Sequence, residues 1–228
     1  MSKITALLRP AHEVPTTVWS ADDPRNLLPR LDTLFFLLSG LWVFGTGEAL
    51  IINARLGVSP WTVLAQGIGL QLDWTIGFAT FIVSVAVLIM WIPLKETPGL
   101  GTLLNVLLIA AAIDIMMPLL PEPSSRTIAV IQAAVGVLMV GVGSCFYLTA
   151  NLGPGPRDGW MTSIQRRTGW PIGRVRTGIE VSVLIAGWML GGTVGLGTLF
   201  FALGVGPALA GCLTLAGFWD VLKRGAAK

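Results

Sequence analysis

The chain has 228 residues, of which 54% are hydrophobic and only 12% are charged, and its mean hydropathy is +0.77. Soluble domains carry about 25% charged residues, so most of this surface cannot face water. The same apolar content excludes disorder, and glycines without a three-residue period exclude a collagen-like fibre. A net charge of +3 could suggest a nucleic-acid partner. Its distribution along the chain fits membrane topology better, so we expect a lipid bilayer and no nucleic acid.

Residues 1–30 are rich in proline and charge, and they lack the apolar stretch and cleavage site of a signal peptide. They are predicted to form a mobile cytosolic tail, in which 4–8 can rest on the membrane surface. This tail contains His12, the only histidine of the chain, which argues against zinc-protease and Ser–His chemistry. Cys145 and Cys212 lie in apolar runs without a neighbouring metal ligand, which predicts core residues. No enzymatic activity, metal or cofactor is expected.

A helix needs about 20 mostly apolar residues to cross the hydrocarbon core of a bilayer. Six stretches qualify, although the fifth is short and glycine-rich: Leu31–Ala54, Gly77–Leu94, Leu100–Leu120, Thr127–Ala150, Thr177–Gly191 and Leu196–Leu222. The expected fold is therefore all-α, a polytopic membrane helix bundle with one membrane domain over 31–222 and a short cytosolic tail over 223–228.

Lysine and arginine are distributed unevenly among the loops between these spans. With a cytosolic N-terminus, thirteen of them lie inside, and only Arg55 and Arg126 lie outside. Cytosolic loops carry such an excess of positive charge. Both termini are therefore predicted to be cytosolic.

The chain repeats itself with a period of 96 residues. Gly57 and Gly153 are 96 positions apart (153 − 57), and the same offset pairs Trp74 with Trp170. It also matches the five residues from Gly99 to those from Gly195 at every position. This indicates a duplicated unit of three spans, with repeat one over about 31–120 and repeat two over about 127–222. Because three is odd, the second unit enters the membrane from the opposite side, which gives an inverted repeat of the kind found in secondary transporters.

The loop after the first helix of each unit contains the signals of a helix end followed at once by a new helix. Gly57 and Gly153 suit a helix C-terminus, while Ser59 or Gly155 followed by proline suits the next N-terminus. The new helices over about 56–70 and 152–167 are too short to span a membrane. Either they re-enter the membrane part-way or they lie at its interface, and both interpretations stay open at this stage.

These residues also resemble a known family. Four features carry the resemblance: Leu-Gly-x-Ser-Pro-Trp-x-Val-Leu at 56–64, Trp-x-Ile-Gly at 74–77, Gly-x-Gly-Thr-x-x-Asn at 99–105, and Asp114. Together they resemble the YczE/YyaS/YitT family of bacterial membrane proteins, and the YczE branch most. The resemblance covers roughly 31–222 and is less specific in repeat two, where Arg157 and Asp158 replace the Trp-Thr of the first copy. It implies a multi-span protein of the bacterial cytoplasmic (inner) membrane and little about activity.

Three acidic residues fall within predicted spans, and such residues usually face a bundle interior and mark transport or proton pathways. Asp114 is the deepest, Glu48 can share a cavity with the following loop, and Glu180 can pair with Arg176. The candidate substrate- or ion-binding residues are Asp114, Glu48, Asn53, Ser59, Asn105, Arg157, Asp158 and Glu180.

The leading functional hypothesis is a small-molecule secondary transporter or exporter in which Asp114, with Glu48, carries a proton or a cation. The alternative is a non-transporting membrane scaffold or accessory partner of another complex, for which the basic cytosolic loops would matter more. Homo-oligomerisation is left open, because six short helices leave little room for a pathway. The sequence specifies neither the substrate nor the coupling ion.

Overall fold

The computed structural model describes the backbone of residues 14–226 and the side chains of residues 14–220. This range contains eight α-helices and no strand: α1 Leu31–Asn53, α2 Pro60–Leu72, α3 Ile76–Ile89, α4 Leu100–Met116, α5 Arg126–Thr149, α6 Pro156–Thr168, α7 Ile172–Met189 and α8 Leu196–Ala226. The predicted all-α bundle is therefore confirmed. His12 and the predicted surface segment 4–8 lie outside the described residues.

Three of these helices, α1, α5 and α8, are long and apolar enough to cross a membrane. The α2–α3 pair is also apolar enough when taken together, but it bends by 114° at the break between the two helices. The α4 helix is apolar and has 17 residues, which is short for a span. A helical membrane bundle follows from these helices, while the number of six spans stays a prediction.

The 96-residue period is visible in the backbone. The helices α2, α3 and α4 begin at 60, 76 and 100, and α6, α7 and α8 begin at 156, 172 and 196. Among the described residues, those with positive φ also form pairs 96 positions apart: Arg55 with Asn151, Gly57 with Gly153, Asp73 with Gly169 and Lys95 with Gly191. The two halves of the chain therefore repeat the same helices and the same turns.

The first helices of the two halves, α1 and α5, cross closely and run in opposite directions. Gly47 packs on Gly136, and Gly40 packs on Gly143. Under the 96-residue offset Gly40 corresponds to Gly136, and Gly47 corresponds to Gly143, so each contact is the counterpart of the other. Such an exchange of equivalent contacts is the property of a twofold axis.

The ends of the helices show the same reciprocity. The N–H of Gly101 donates to the carbonyl of Leu152, and the N–H of Gly197 donates to the carbonyl of Leu56, each at 2.7 Å. Both bonds attach the first turn of a repeat's last helix to the loop of the other repeat. An approximate twofold axis thus relates the two halves, as expected when an odd-numbered unit is duplicated.

We expect Gly47→Leu to destabilise the bundle, because a Cβ at this position would lie 2.7 Å from the carbonyl oxygen of Gly136. Overpacking costs about 1–3 kcal/mol and more when the backbone has to move. The Tm in detergent should therefore fall by roughly 5–10 °C or more. Gly211→Leu is the matched control, since a Cβ at Gly211 would have no atom within 4 Å. Equal melting temperatures for the two variants would contradict this packing.

The described part of the predicted tail, residues 14–30, packs against the C-terminal end of α5. The indole Nε1–H of Trp19 donates to Thr149 Oγ1 at 3.1 Å, and the N–H of Ala21 donates to the carbonyl of Ala150 at 3.0 Å. Trp19 also stacks on Phe36, with ring centroids 4.2 Å apart. In contrast to the expected mobile tail, this segment is held to the bundle by hydrogen bonds and a buried tryptophan. The predicted cytosolic position of the tail stays a prediction.

Candidate functional site

The candidate site lies where the two short helices α2 and α6 begin. Gly57 and Gly153 precede them with φ of +101° and +102°, a conformation that glycine adopts without a steric penalty. Pro60 and Pro156 occupy the first helical turn, as the sequence predicts. The N-cap residue Ser59 and the first four residues of α2 are all buried. This turn therefore lies inside the bundle, whereas Asp158 in the equivalent turn of α6 is exposed. Re-entry of the two helices into the membrane stays a prediction.

The first turns of α2 and α6 meet in the interior of the bundle. The guanidinium carbon of Arg157 lies 5.2 Å from the ring centroid of Trp61, and the ring of Trp160 meets the same indole edge-on at 6.4 Å. Trp61 and Arg157 are 96 positions apart, so each is the repeat counterpart of the other. The approximate twofold axis therefore passes between the guanidinium and the indole.

Glu48 lies in α1 beside the start of α2 and is only 1% exposed. Its Oε2 accepts hydrogen bonds from Thr62 Oγ1 at 2.8 Å and from Ser59 Oγ at 3.2 Å. Its Oε1 has no hydrogen-bond partner among the described residues. The positive charge that acts on Glu48 is that of Arg157. The structure thus brings Glu48 and Ser59 together, and it adds Thr62, which the sequence did not single out.

A cavity of about 120 Å³ adjoins this point. Its polar lining consists of side chains from α2 and from α4 to α7: Trp61, Asn105, Ser144, Tyr147, Arg157, Asp158, Arg176 and Glu180. Apolar side chains from α1, α4, α5 and α8, among them Phe44, Ile109, Val140 and Phe201, form the remaining walls. A cavity needs roughly 10–15 Å³ of such volume to hold one water, so this one has room for several waters and suits a small molecule.

The acidic groups that line the cavity already have partners. The Glu180 carboxylate accepts from Arg176 Nε at 2.9 Å, as the sequence predicts, and Asp158 accepts a hydrogen bond from the Tyr147 hydroxyl. Within the described part of the chain, Arg157 has neither an ion pair nor a hydrogen bond, and Trp61 Nε1 has no acceptor. Arg157 and Trp61 therefore offer donors without acceptors beside this cavity, and among the described residues the Asn105 amide, which also lines it, has no hydrogen bond either.

Asp114 lies outside the cavity, at the junction of α3 and α4. Its Oδ1 accepts from the N–H of Gly77 at 2.8 Å, and its Oδ2 accepts from Thr75 Oγ1 at 2.6 Å. A carboxylate on these donors caps the positive end of α3. Asn53 does not line the cavity either, and its amide donates to the carbonyl of Met117 at 2.9 Å. Whether Asp114 or Asn53 binds an ion stays a prediction.

The junction of α3 with α4 and its counterpart between α7 and α8 have different geometries. A Cβ at Gly77 would lie 2.4 Å from the carbonyl oxygen of Ala110, so α3 is in close contact with α4. The repeat counterparts are Gly173 and Gly206, and a Cβ at either would have no atom within 4 Å. We call the first junction the closed seam and the second the open seam. The open seam lies beside the cavity. The cavity lining includes Arg176 and Glu180 of α7 and Gly206 of α8.

The chain matches a known protein family. The model of a family of unknown function, DUF6198, matches residues 31–213. The chain belongs to this family. It is 42% identical over 196 residues to an uncharacterized protein of Haemophilus influenzae, covering 86% of this chain and 89% of that protein. No solved structure matches the chain.

Two relatives in Bacillus subtilis connect the family to the predicted resemblance. The uncharacterized membrane protein YczE is 37% identical over 180 residues, which cover 76% of this chain and 82% of YczE. The uncharacterized protein YyaS is 25% identical over 164 residues, which cover 70% of this chain and 82% of YyaS. The predicted YczE-like resemblance is therefore confirmed, and with the apolar helices it identifies a membrane protein.

Proposed function

We propose that this DUF6198 protein is a small-molecule secondary transporter that works by alternating access. The observation that carries the proposal is the difference between the closed and the open seam, which join equivalent helices in the two repeats. An approximate twofold axis makes the exchanged arrangement, with α7 on α8 and α3 away from α4, a natural second state of the same chain. Exchange between the two states would move the central cavity from one side of the membrane to the other.

The predicted topology assigns a side to the present state. With a cytosolic N-terminus, α7 begins on the cytosolic side, and the open seam admits molecules from there. The closed seam at Asp114 and Gly77 then lies on the opposite side. This state is the cytosol-facing one, in the inner membrane of a bacterium.

Glu48 is the proposed proton carrier. Its carboxyl group is buried and, among the described residues, is hydrogen-bonded to hydroxyl groups, so no salt bridge has to break when it takes up or releases a proton. Arg157 on α6 is the charge that acts on it, and Ser59 and Thr62 are its hydroxyl neighbours on α2. The Asp114 carboxylate, in contrast, is bonded to the start of α3, which favours a structural task at the closed seam over the predicted role of carrier.

The test is uptake and efflux by the full chain reconstituted in proteoliposomes, with an imposed pH gradient and a panel of small metabolites that bear acidic, basic, zwitterionic and neutral head groups. We expect saturable, gradient-driven movement of at least one class after the passive leak of protein-free vesicles has been subtracted. No movement across the panel by folded protein would contradict the proposal. A specific protein co-purifying from the native membrane would then support the scaffold alternative.

A further inference from the structure

Arg157 has the properties of a ligand-binding residue rather than of a structural one. Its guanidinium lies over the face of Trp61 and makes no hydrogen bond or ion pair with the described residues. A guanidinium that is stacked by its face keeps the N–H groups of its edge available, and their fork matches the two oxygens of a carboxylate. Arg157 is half-buried and lines the cavity, so these N–H groups are placed to meet a ligand there.

Trp61 gives a second, independent indication. Its indole is 5% exposed, lines the cavity, and has an Nε1–H without an acceptor. Buried indole N–H groups usually have a hydrogen-bond partner. Two neighbouring side chains that line the cavity thus each carry a donor without an acceptor among the described residues, whereas the carboxylates of Asp158 and Glu180 already accept hydrogen bonds.

We propose that the cavity binds the carboxylate of a small organic acid, with Arg157 and the Nε1–H of Trp61 as its donors. The start of α6 adds to this site, because Arg157 lies in the first turn of a 13-residue helix, where the helix dipole favours an anion. The apolar walls accept the hydrocarbon part of the acid. This inference names the substrate class of the proposed transporter. Transport of the acid rests on the proposed function, whereas its binding can be measured separately.

Glu48 connects the carboxylate site to the proton. When it is ionised, Glu48 is a rival negative charge for Arg157, because its partner Thr62 follows Trp61 in α2 and the Arg157 guanidinium lies over the ring of Trp61. A proton on Glu48 removes this rival, so the acid anion and the proton should bind together as an electroneutral pair. The other titratable groups near Arg157 are Asp158 on α6, Glu180 on α7 and Tyr147 on α5.

The experiment compares three probes that share a benzyl or phenyl body and differ in the head group: benzoate, benzylamine and benzyl alcohol. Binding to the purified full chain in detergent is measured by calorimetry at neutral pH. We expect benzoate to bind roughly tenfold to a hundredfold more tightly than the other two, which is the range that a hydrogen bond to a charged group gives. Preferential binding of benzylamine, equal binding of all three probes, or no binding of benzoate would overturn the proposal.

Variants assign the effect to the named groups. Arg157→Gln should lose the preference for benzoate, Arg157→Lys should retain part of it, and Trp61→Phe should weaken binding by about threefold to tenfold through the lost N–H. Glu48→Gln imitates the protonated carboxyl group and should bind benzoate at least as tightly as wild type. Arg174→Gln is the matched control, because Arg174 is exposed and does not line the cavity. An equal loss in Arg174→Gln and Arg157→Gln would contradict the assignment.

The binding assay and the transport assay fail independently. Benzoate binding without gradient-driven transport of any compound would support the carboxylate site and contradict the proposed transporter. Transport of amines or neutral compounds without benzoate binding would support the transporter and contradict the carboxylate site.

Discussion

Replacing Gly173 by leucine is expected to abolish transport while leaving the protein folded. In the present state a Cβ at Gly173 has no atom within 4 Å, so a leucine has space to begin there and even removes the unfavourable helix propensity of glycine, which is about 1 kcal/mol. When the open seam closes, Gly173 has to come as near to α8 as Gly77 comes to α4, where a Cβ would lie 2.4 Å from a carbonyl oxygen. The leucine then blocks the closed arrangement.

The measurement is transport in proteoliposomes together with the Tm in detergent. Gly173→Leu should reduce transport to the protein-free background without lowering the Tm. Gly178→Ile is the matched control on the same helix: Gly178 also faces open space, but its repeat counterpart is Ile82, so a closed seam already accommodates isoleucine there. We expect Gly178→Ile to transport at the wild-type rate. Full activity of Gly173→Leu would show that the open seam does not close during transport.

Glu48→Gln is expected to abolish proton-driven accumulation and to leave exchange intact. A pH difference of one unit supplies about 1.4 kcal/mol per proton, which corresponds to about tenfold accumulation of a substrate that moves with one proton. A glutamine can still accept hydrogen bonds from Ser59 and Thr62 but cannot release a proton. The variant should therefore equilibrate a substrate that wild-type vesicles accumulate, to a concentration ratio of about one.

Counterflow exchange of labelled for unlabelled substrate is the readout that separates coupling from folding or binding. It should continue in Glu48→Gln at a rate similar to wild type. Asp114→Asn is the comparison, because this substitution weakens the bonds to Gly77 and Thr75 at the closed seam. We expect Asp114→Asn to lower the Tm and to keep its proton coupling. Loss of accumulation in Asp114→Asn alone would identify Asp114 as the carrier, as the sequence suggested.

Much of the fold could be predicted from the sequence, because the 96-residue offset transfers local signals from one repeat to the other. A glycine followed by Ser-Pro or Gly-Pro specifies a helix end and a helix start by backbone geometry alone, and α2 and α6 begin where these signals lie. Residues in α7 were harder to place. The predicted span begins at Thr177, whereas the helix begins at Ile172, because Arg174 and Arg176 suggest a loop and yet lie on the exposed first turns of the helix.

The candidate site was only partly predictable. Glu48 and Ser59 lie close together in sequence, and a helix followed by a tight turn brings them within hydrogen-bond distance. The contact of Trp61 with Arg157 depends on how the two repeats dock, which no local pattern specifies. The difference between the closed and the open seam was not predictable either, because two states of one chain can differ by only a few kcal/mol. Gly77 and Gly173 are equivalent in sequence, so the sequence does not indicate which of the two seams is the closed one.

The position of Trp61 and Arg157 on the approximate twofold axis has a consequence for the origin of the site. In a symmetric dimer of identical halves, a residue on the axis faces its own copy. Two tryptophans there would carry no charge, and two arginines would repel each other in a medium of low dielectric constant. Only after the gene for the ancestral half had been duplicated could the two positions change separately. A guanidinium supported by an indole is thus a feature that an ancestral homodimer could not have had, and the duplication is a precondition for this site.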